Sequence, residues 1–260
     1  MMSLIKTHEE IEKLKRGGVL LSATLRKVMA ACRPGVSTKE LDEIAQREFA
    51  RVGGTPSFLG YKISADDPPF PSAVCISMND EVVHGPATPE RTIRDGDIVG
   101  LDIGMWHEGL ATDMATTVIV GDVRPEVRRL VEDTRESLVR GIAAIKAGGW
   151  VGDIGAAVED YLKPKGYGIV KDLVGHGVGH AVHEEPQIPN YRDPRGPRVR
   201  LEEGMVLAIE PMVALGTWKV KMKPDGWTIV TADGSPAAHF EVTIAVTKDG
   251  YDLITPWPDV

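Results

Sequence analysis

Three things are scarce in this sequence, and each scarcity excludes a class of protein. Only two cysteines occur among 260 residues, Cys32 and Cys75, so a disulfide framework is not expected and a reducing cytoplasm fits. No apolar run approaches the length of a membrane-spanning helix. Positive charge is in the minority: 30 Lys and Arg face 38 Asp and Glu, for a net charge of -8. That balance disfavours a broad electrostatic contact with nucleic acid.

What remains is an ordinary globular composition. Hydrophobic residues make up 42% of the chain and charged residues 26%, and the length suits one large domain or two small ones. Acidic and basic residues occur too early in the first ten positions for a signal peptide. Because no repeat and no linker is evident, we predict one compact domain over residues 1–260.

Helix signals divide the chain into two similar parts. Capping-box spacings at Thr7 and Ser37 predict two helices, ended by Pro34-Gly35 and Gly53-Gly54. Pro125 predicts the start of a third helix, closed by Gly148-Gly149, and a fourth is expected near residues 153–162. Strands are predicted at residues 73–78, 82–84, 205–213, 227–230 and 239–246, and residues 55–71 are predicted to be irregular, with a loop at 66–69. This order favours an α+β fold with helices on one side of a largely antiparallel sheet.

Two aspartates carry the most information about function. Asp102 and Asp113 lie in strand-like segments, 97–105 and 112–120. A two-residue turn at His107-Glu108 or Glu108-Gly109 places the two carboxylates on one face, directly or diagonally opposed. Like charges so placed repel, and burial raises the cost. A cation between them removes that cost, so the hairpin predicts a metal site.

A glycine-rich segment supplies histidines. His176 and His180 have the spacing of a helical zinc motif, but the glycines at 175, 177 and 179 disfavour a helix. The segment does not match a phosphate-binding fingerprint either. We expect the glycines to allow the backbone a close approach to a ligand, with His176 and His183 projecting separately.

Two glutamates complete the set of candidate ligands. Glu210 precedes Pro211, which favours an extended conformation, and it follows an apolar run. Glu241 lies in another strand-like segment. A single buried glutamate is usually structural, bonded to a backbone amide or an arginine. Four acids with one histidine instead suit two divalent ions of intermediate hardness, which could share a bridging water, lower its pKa and bind a carbonyl. The expected chemistry is hydrolysis.

Taken in order, these residues resemble the methionine aminopeptidases of the creatinase/aminopeptidase, or pita-bread, superfamily. The resemblance covers nearly the whole chain, and its blocks are Asn79 to Gly85, Gly175 to Gly179, His183 to Pro186, Ile209 to Met212 and Asp225 to Thr228. The short gap between His176 and Glu210 is similar to that of type I enzymes. The resemblance implies a pita-bread fold, in which two pseudo-related αβ halves pack helices on a curved, largely antiparallel sheet.

The resemblance also implies a role for each ligand of two divalent ions, which could be Co, Mn, Fe(II), Zn or Ni. Asp113 and Glu241 would bridge the ions and Asp102 would chelate one of them. His176 and Glu210 would complete the other, with Glu210 as proton shuttle for the bridging water or hydroxide.

Further residues would act on the substrate. His84 and His183 would hydrogen-bond the scissile amide and the developing oxyanion. The wall of the methionine pocket would be formed by Trp227, Tyr61, Phe70 and Cys75. Ordinary packing is the alternative for each of these residues, since aromatic and sulfur side chains usually belong to a core.

The chain departs from the family pattern in a few places. Met114 follows Asp113 where the family has threonine, so the hydroxyl that would support this ligand is missing. His84-Gly85 is followed directly by Pro86, and the loop at 55–71 is longer than usual.

The implied function is removal of the N-terminal methionine from nascent proteins and peptides with a small second residue. A cytoplasmic monomer is expected, with transient ribosome contact possible and with no specific nucleic acid or membrane partner. One alternative is a proline-specific peptidase, which shares the ligands but generally carries an extra N-terminal domain. The other is a non-catalytic binding module, although such modules typically lose ligands.

Overall fold

A computed structural model describes residues 4–62, 64, 67–196 and 198–258. Asp66 of the predicted loop at 66–69, and both ends of the predicted domain 1–260, lie outside the described residues. In the described part of the chain, no helix combines the length and apolar character needed to cross a bilayer.

Three helices begin where the sequence predicts, and the fourth begins two residues earlier than predicted, at Val151. The helices are α1 (His8–Ala31), α2 (Thr38–Arg51), α3 (Pro125–Ala143) and α4 (Val151–Leu162), followed by a 3-10 turn at Lys163–Lys165. The hydroxyls of Thr7 and Ser37 each accept a hydrogen bond from the third amide of the helix. The carboxylates of Glu10 and Glu40 accept from the amides of Thr7 and Ser37 in turn, so both capping boxes are confirmed. The predicted end of α3 at Gly148-Gly149 is wrong. The amides of Ala147 and Gly148 donate to Thr247 and Leu201, outside the helix.

The strands are short and numerous. They are β1 (Thr55–Pro56), β2 (Val74–Met78), β3 (Glu81–Val83), β4 (Ile98–His107), β5 (Leu110–Ile119), β6 (Gly168–Ile169), β7 (Gly175–Gly177), β8 (Glu184–Ile188), β9 (Val206–Ile209), β10 (Met212–Ala214), β11 (Val220–Met222), β12 (Ile229–Thr231), β13 (Ala237–His239), β14 (Glu241–Val246) and β15 (Tyr251–Leu253).

Two predicted strands are each divided in two, which corrects the sequence analysis. The segment 205–213 breaks after β9 at Glu210-Pro211, where proline has no amide to donate to a ladder. The segment 239–246 breaks at Phe240, between β13 and β14. The predicted strand 227–230 also starts late, at Ile229, because the amides of Trp227 and Thr228 both donate to Asp225 in a turn.

One large antiparallel sheet organises the molecule. Its nine strands include the path β1-β4-β5-β14-β9-β7-β8, with β2 on β4 and β15 on β14. Two smaller sheets of three strands have the orders β13-β10-β6 and β11-β12-β3. The helix pair α1 and α2 shares one core with β2, β4 and β5, and the pair α3 and α4 shares another with β9 and β14. The predicted α+β architecture of two αβ halves is confirmed.

The large sheet has two different faces. On β4, Val99, Leu101 and Ile103 belong to the core under α1 and α2. Since successive side chains point to opposite faces, Asp102 lies on the other face. The same alternation on β14 buries Val242 under α3 and α4 and leaves Glu241 on the face of Asp102. Each large apolar side chain so buried stabilises the fold by about 1.5–3 kcal/mol. This packing holds the helices against one face of the sheet, and the candidate ligands lie on the other face.

Candidate metal centre

The hairpin of β4 and β5 selects one of the two predicted turns. His107 pairs with Leu110, so the turn is Glu108-Gly109, and both turn residues have positive φ, 49° and 80°. Asp102 pairs with Ala115 and Asp113 with Gly104. The two carboxylates therefore share a face in the diagonal arrangement.

All five predicted ligands stand on this face, on neighbouring strands. Glu241 on β14 pairs with Ala115, and is thus in line with Asp102. His176 on β7 pairs with Ala208 of β9. Glu210 lies two residues after Ala208, directly behind the end of β9. Paired residues and residues two apart share a face, so the register of β4, β5, β14, β9 and β7 brings the whole set together.

The side chains also meet in space. Ligand atoms of Asp113, His176 and Glu241 lie within 4.8 Å of one another. The His176 Nε2 atom is 3.5 Å from a carboxylate oxygen of Glu210. Only 8% of Asp102, 3% of Asp113 and 3% of Glu241 is exposed. The predicted ligands thus form one buried cluster.

Burial dominates the electrostatics of this cluster. It raises the pKa of Asp102 to about 7 and that of Glu210 to about 8. The pKa values of Asp113 and Glu241 are raised well above their usual range, first by burial and then by the neighbouring carboxylates. Burial lowers the pKa of His176 to about 3, so its imidazole is neutral, as a metal ligand must be.

The cluster fits divalent cations. Buried atoms without a hydrogen-bond partner include one oxygen each of Asp102, Asp113 and Glu241. Among the described residues that line the cavity above them, none is lysine or arginine. Four buried carboxylates without a cationic side chain are costly, and a set of oxygen and imidazole donors suits ions of intermediate hardness.

Backbone contacts that the sequence analysis missed hold the ligands. The Thr243 hydroxyl donates to the Asp113 carbonyl at 2.7 Å and accepts from the Asp113 amide at 3.1 Å. The Asn190 side chain donates to the Glu210 carbonyl at 3.0 Å. The Thr243 side chain, on the adjacent strand β14, thus holds the backbone of Asp113. The hydroxyl that the family pattern has directly after the aspartate is missing in this chain.

The glycines of β7 are needed for the packing of neighbouring strands. A Cβ atom on Gly175 would collide with the Ala208 carbonyl, and one on Gly177 with the Glu185 carbonyl. These glycines therefore let neighbouring strands approach each other closely. The result positions His176 between them.

The two predicted catalytic histidines flank the cluster. His84 follows β3 with a positive φ of 59°, and burial lowers its pKa to about 4. The ring of His183 lies 4.5 Å from that of His176, centroid to centroid. The Tyr61 hydroxyl is 2.8 Å from Nδ1 of His183, a contact that the sequence did not indicate.

A cavity of about 460 Å³ lies over the cluster, and all eleven predicted site residues line it. Phe70 packs edge-on against Trp227 with ring centroids 5.2 Å apart. Cys75 pairs with Asp102 across β2 and β4 and is buried. Several further lining residues were not predicted from the sequence, and they are Phe58, Val83, Asp172, Leu173, Val174, Gln187 and Met212.

An apolar cavity above a carboxylate and imidazole cluster is typical of a metal-dependent hydrolase. The comparisons agree: the family model of metallopeptidase family M24 matches residues 12–248, and the chain belongs to this family. It is 46% identical to a methionine aminopeptidase of Borreliella burgdorferi. The alignment spans 250 residues and covers 96% of each chain.

Solved structures place the fold. A crystal structure of methionine aminopeptidase from Thermotoga maritima matches with a TM-score of 0.92 and 42% identity, over 98% of this chain and 99% of that one. A Xaa-Pro dipeptidase from Bacillus anthracis matches with a TM-score of 0.77 and 27% identity, over 97% of this chain but 62% of that one. The pita-bread fold and the metallopeptidase class are confirmed.

Proposed function

We propose that this protein is a methionine aminopeptidase that removes the N-terminal methionine from nascent proteins and peptides with a small second residue. The observation that carries the proposal is the buried cluster of four carboxylates and His176 beneath an apolar cavity. The full-length match to methionine aminopeptidases supports it. We further propose that residues 1–260 form one catalytic domain, because a single sheet joins both halves.

The site would hold two divalent ions through Asp102, Asp113, His176, Glu210 and Glu241. When bound, they would lower the pKa of the attacking water and polarise the scissile carbonyl. Cobalt, manganese, iron(II), zinc and nickel all accept this mixture of donors.

The protein's own groups would then act on the peptide. Glu210, whose pKa burial raises, would take a proton from the attacking water and pass it to the leaving amine. If the Tyr61 hydroxyl donates to Nδ1, His183 would carry its proton on Nε2 and would donate a hydrogen bond from it to the oxyanion. His84 would hydrogen-bond the scissile amide from the other side.

The apolar wall would select the substrate. Phe70, Trp227 and Cys75 line the cavity next to the acidic cluster. The unbranched thioether of methionine adapts to such a wall and makes favourable contacts with ring edges.

The setting of the reaction follows from the substrate. An enzyme that acts on newly made chains would work in the cytoplasm, with transient contact at the ribosome. We propose a monomer; in support, the eleven site residues of one chain together line the cavity, so the site needs no residue from a second copy.

Two peptides test the proposal against its rival. The enzyme should cleave Met-Ala peptides, lose activity after chelation and regain it with one or more of the candidate ions. Activity confined to Ala-Pro peptides would favour the proline-specific alternative. The Bacillus anthracis structure supports that alternative, although this chain covers only 62% of it.

A variant separates the enzyme from a binding module. Asp102→Ala should abolish cleavage of Met-Ala peptides, whereas Asp249→Ala, at an exposed position, should leave it unchanged. Full activity in Asp102→Ala would contradict the catalytic assignment.

A further inference from the structure

His239 lies in the acidic cluster although the predicted ligand set does not include it. Only 3% of it is exposed, and its Nε2 atom has no hydrogen-bond partner. That atom lies 3.4 Å from a carboxylate oxygen of Glu210, the oxygen that does not face His176. Ligand atoms of His239, Glu210 and Glu241 all lie within 4.8 Å of one another.

We propose that His239 is a metal ligand, and that its Nε2 atom binds the ion held by Glu210 and Glu241. The inference rests on the proposed function, since it requires that the cluster bind metal. The ligand atoms form two close groups that share Glu241, one with Asp113 and His176 and the other with Glu210 and His239. His239 would thus join His176 and Glu210 at one ion and would add a second imidazole there.

The paired strand breaks explain how His239 reaches the cluster. The chain leaves the large sheet at Glu210-Pro211 and enters it again at Glu241, after Phe240. Beyond these breaks β10 and β13 pair with each other, and Met212 lies opposite His239. The two interruptions therefore lie side by side, which brings His239 next to Glu210.

The backbone of His239 is held in place. The Thr117 hydroxyl donates to the His239 carbonyl at 2.8 Å and accepts from the His239 amide at 2.9 Å. Thr243 makes the same pair of bonds to Asp113. A predicted ligand and its proposed counterpart are thus each held through the backbone by a threonine of an adjacent strand.

A bound ion accounts for the geometry better than a direct hydrogen bond does. The Nε2 atom of His239 is farther from Glu210 than a good N–H···O bond allows and is without a partner. Nitrogen and oxygen ligands of one ion each lie about 2.0–2.2 Å from it and so do not touch each other. A buried imidazole that faces carboxylates across such a gap has the geometry of a ligand.

Nitrogen NMR of the full-length protein tests this without an activity assay. Metal-free protein with ¹⁵N-labelled histidine is titrated with Zn²⁺, and the side-chain nitrogens are assigned by through-bond correlation in the wild type. The inference predicts that Nε2 of both His176 and His239 shifts to a metal-bound position. A shift of His176 alone would overturn the inference and leave the proposed function intact. If neither nitrogen shifts, the proposed metal site itself fails.

Variants separate a ligand from a residue that only orients Glu210. Glutamine can still donate a hydrogen bond but offers no imidazole, so His239→Gln should weaken Zn²⁺ binding in a chelator competition by about 10–100-fold or more. The control His8→Gln changes an exposed histidine at the start of α1 and should leave the affinity unchanged. Wild-type affinity in folded His239→Gln would contradict the assignment.

Discussion

At the scale of single residues, the contact between Tyr61 and His183 gives a pocket residue a second task. The sequence analysis placed Tyr61 in the wall of the methionine pocket, and the structure puts its hydroxyl 2.8 Å from Nδ1 of His183. The two rings also meet edge to face, with centroids 5.3 Å apart. The hydroxyl can therefore fix both the tautomer and the orientation of the histidine.

Removing this hydroxyl should affect the chemical step. We expect Tyr61→Phe to lower kcat on Met-Ala peptides by about 10–100-fold, the usual cost of losing a group that orients a functional side chain. KM should change less, because the ring that lines the pocket is retained. Steady-state kinetics with a metal-loaded enzyme measures both constants.

Tyr167→Phe is the matched control for that variant. It removes a hydroxyl that donates to Asp133 at 2.8 Å, outside the residues that line the cavity. Its kcat should equal that of the wild type. If Tyr61→Phe raises KM and leaves kcat unchanged, the hydroxyl orients nothing and Tyr61 is only a pocket wall.

At the scale of elements, the segment before α1 supports the loop that carries His183. Lys6 is 3% exposed, and its ammonium group lies 2.6 Å from Glu184. The other oxygen of Glu184 accepts from the amides of His180 and Ala181, both in that loop. Glu10 of α1 reaches the His180 ring at 2.7 Å. These contacts hold the loop between β7 and β8 against α1.

Breaking the ion pair should destabilise the protein. Lys6→Met leaves Glu184 buried without its cation, and we expect a loss of about 3–5 kcal/mol in the free energy of unfolding. Lys6→Met combined with Glu184→Gln should recover part of that loss, because it leaves no unpaired charge. Urea denaturation at pH 7 measures all three proteins.

Lys13→Met is the control. Lys13 forms a solvent-exposed ion pair with Glu9, and such pairs contribute little to stability. If Lys6→Met and Lys13→Met cost the same, the contact with Glu184 contributes no special support to the loop.

The elements that the sequence predicted well are those with local signals. Thr7, Ser37 and Pro125 mark helix starts through backbone chemistry that needs no distant partner. The end of α3 and the division at Phe240 depend on distant contacts, such as the bond from the Phe240 amide to the Pro211 carbonyl. Very short strands such as β6 are formed by pairing and have no periodicity to read.

The site follows the same distinction. The pairing rule placed Asp102 and Asp113 together because the hairpin is local. Local signals named His176, Glu210 and Glu241 as candidate ligands, and the family resemblance assigned their roles. His239 and Thr243 were missed, since their importance arises from the register between strands far apart in sequence. The position of His239 two residues before Glu241 was the available signal.

At the scale of the whole molecule, the acidic cluster lies where the two halves join. Asp113 belongs to β5 of the first half and Glu241 to β14 of the second, and these strands pair directly. Anything that binds the folded cluster more tightly than the unfolded chain will stabilise the molecule as a whole. Metal content and stability are therefore expected to be coupled.

The metal-free protein should become less stable as the pH rises from 6.5 to 8. Asp102 and Glu210 have pKa values of about 7 and about 8 when folded, against ordinary values of 3.8 and 4.5, so the folded state binds more protons in this window. Below pH 6.5 the buried His176, whose pKa is lowered, acts in the opposite direction. Thermal unfolding in the presence of a chelator should show a falling Tm across the window.

Adding a divalent ion should reverse this trend, because the ion replaces the protons. The Tm of the loaded protein should be higher at pH 8 than that of the metal-free protein, by an amount that grows with pH. A metal-free Tm that rises or stays level between pH 6.5 and 8 would show that the carboxylates are not held together as described.

The most direct measurement is anomalous scattering from crystals grown with Mn²⁺ or Co²⁺. We predict two peaks about 3.5–4 Å apart on the face of the large sheet that carries Asp102 and Glu241. Both ions should contact Asp113 and Glu241. Crystals that contain only water at this position, or a lysine or arginine side chain between the carboxylates, would contradict this prediction.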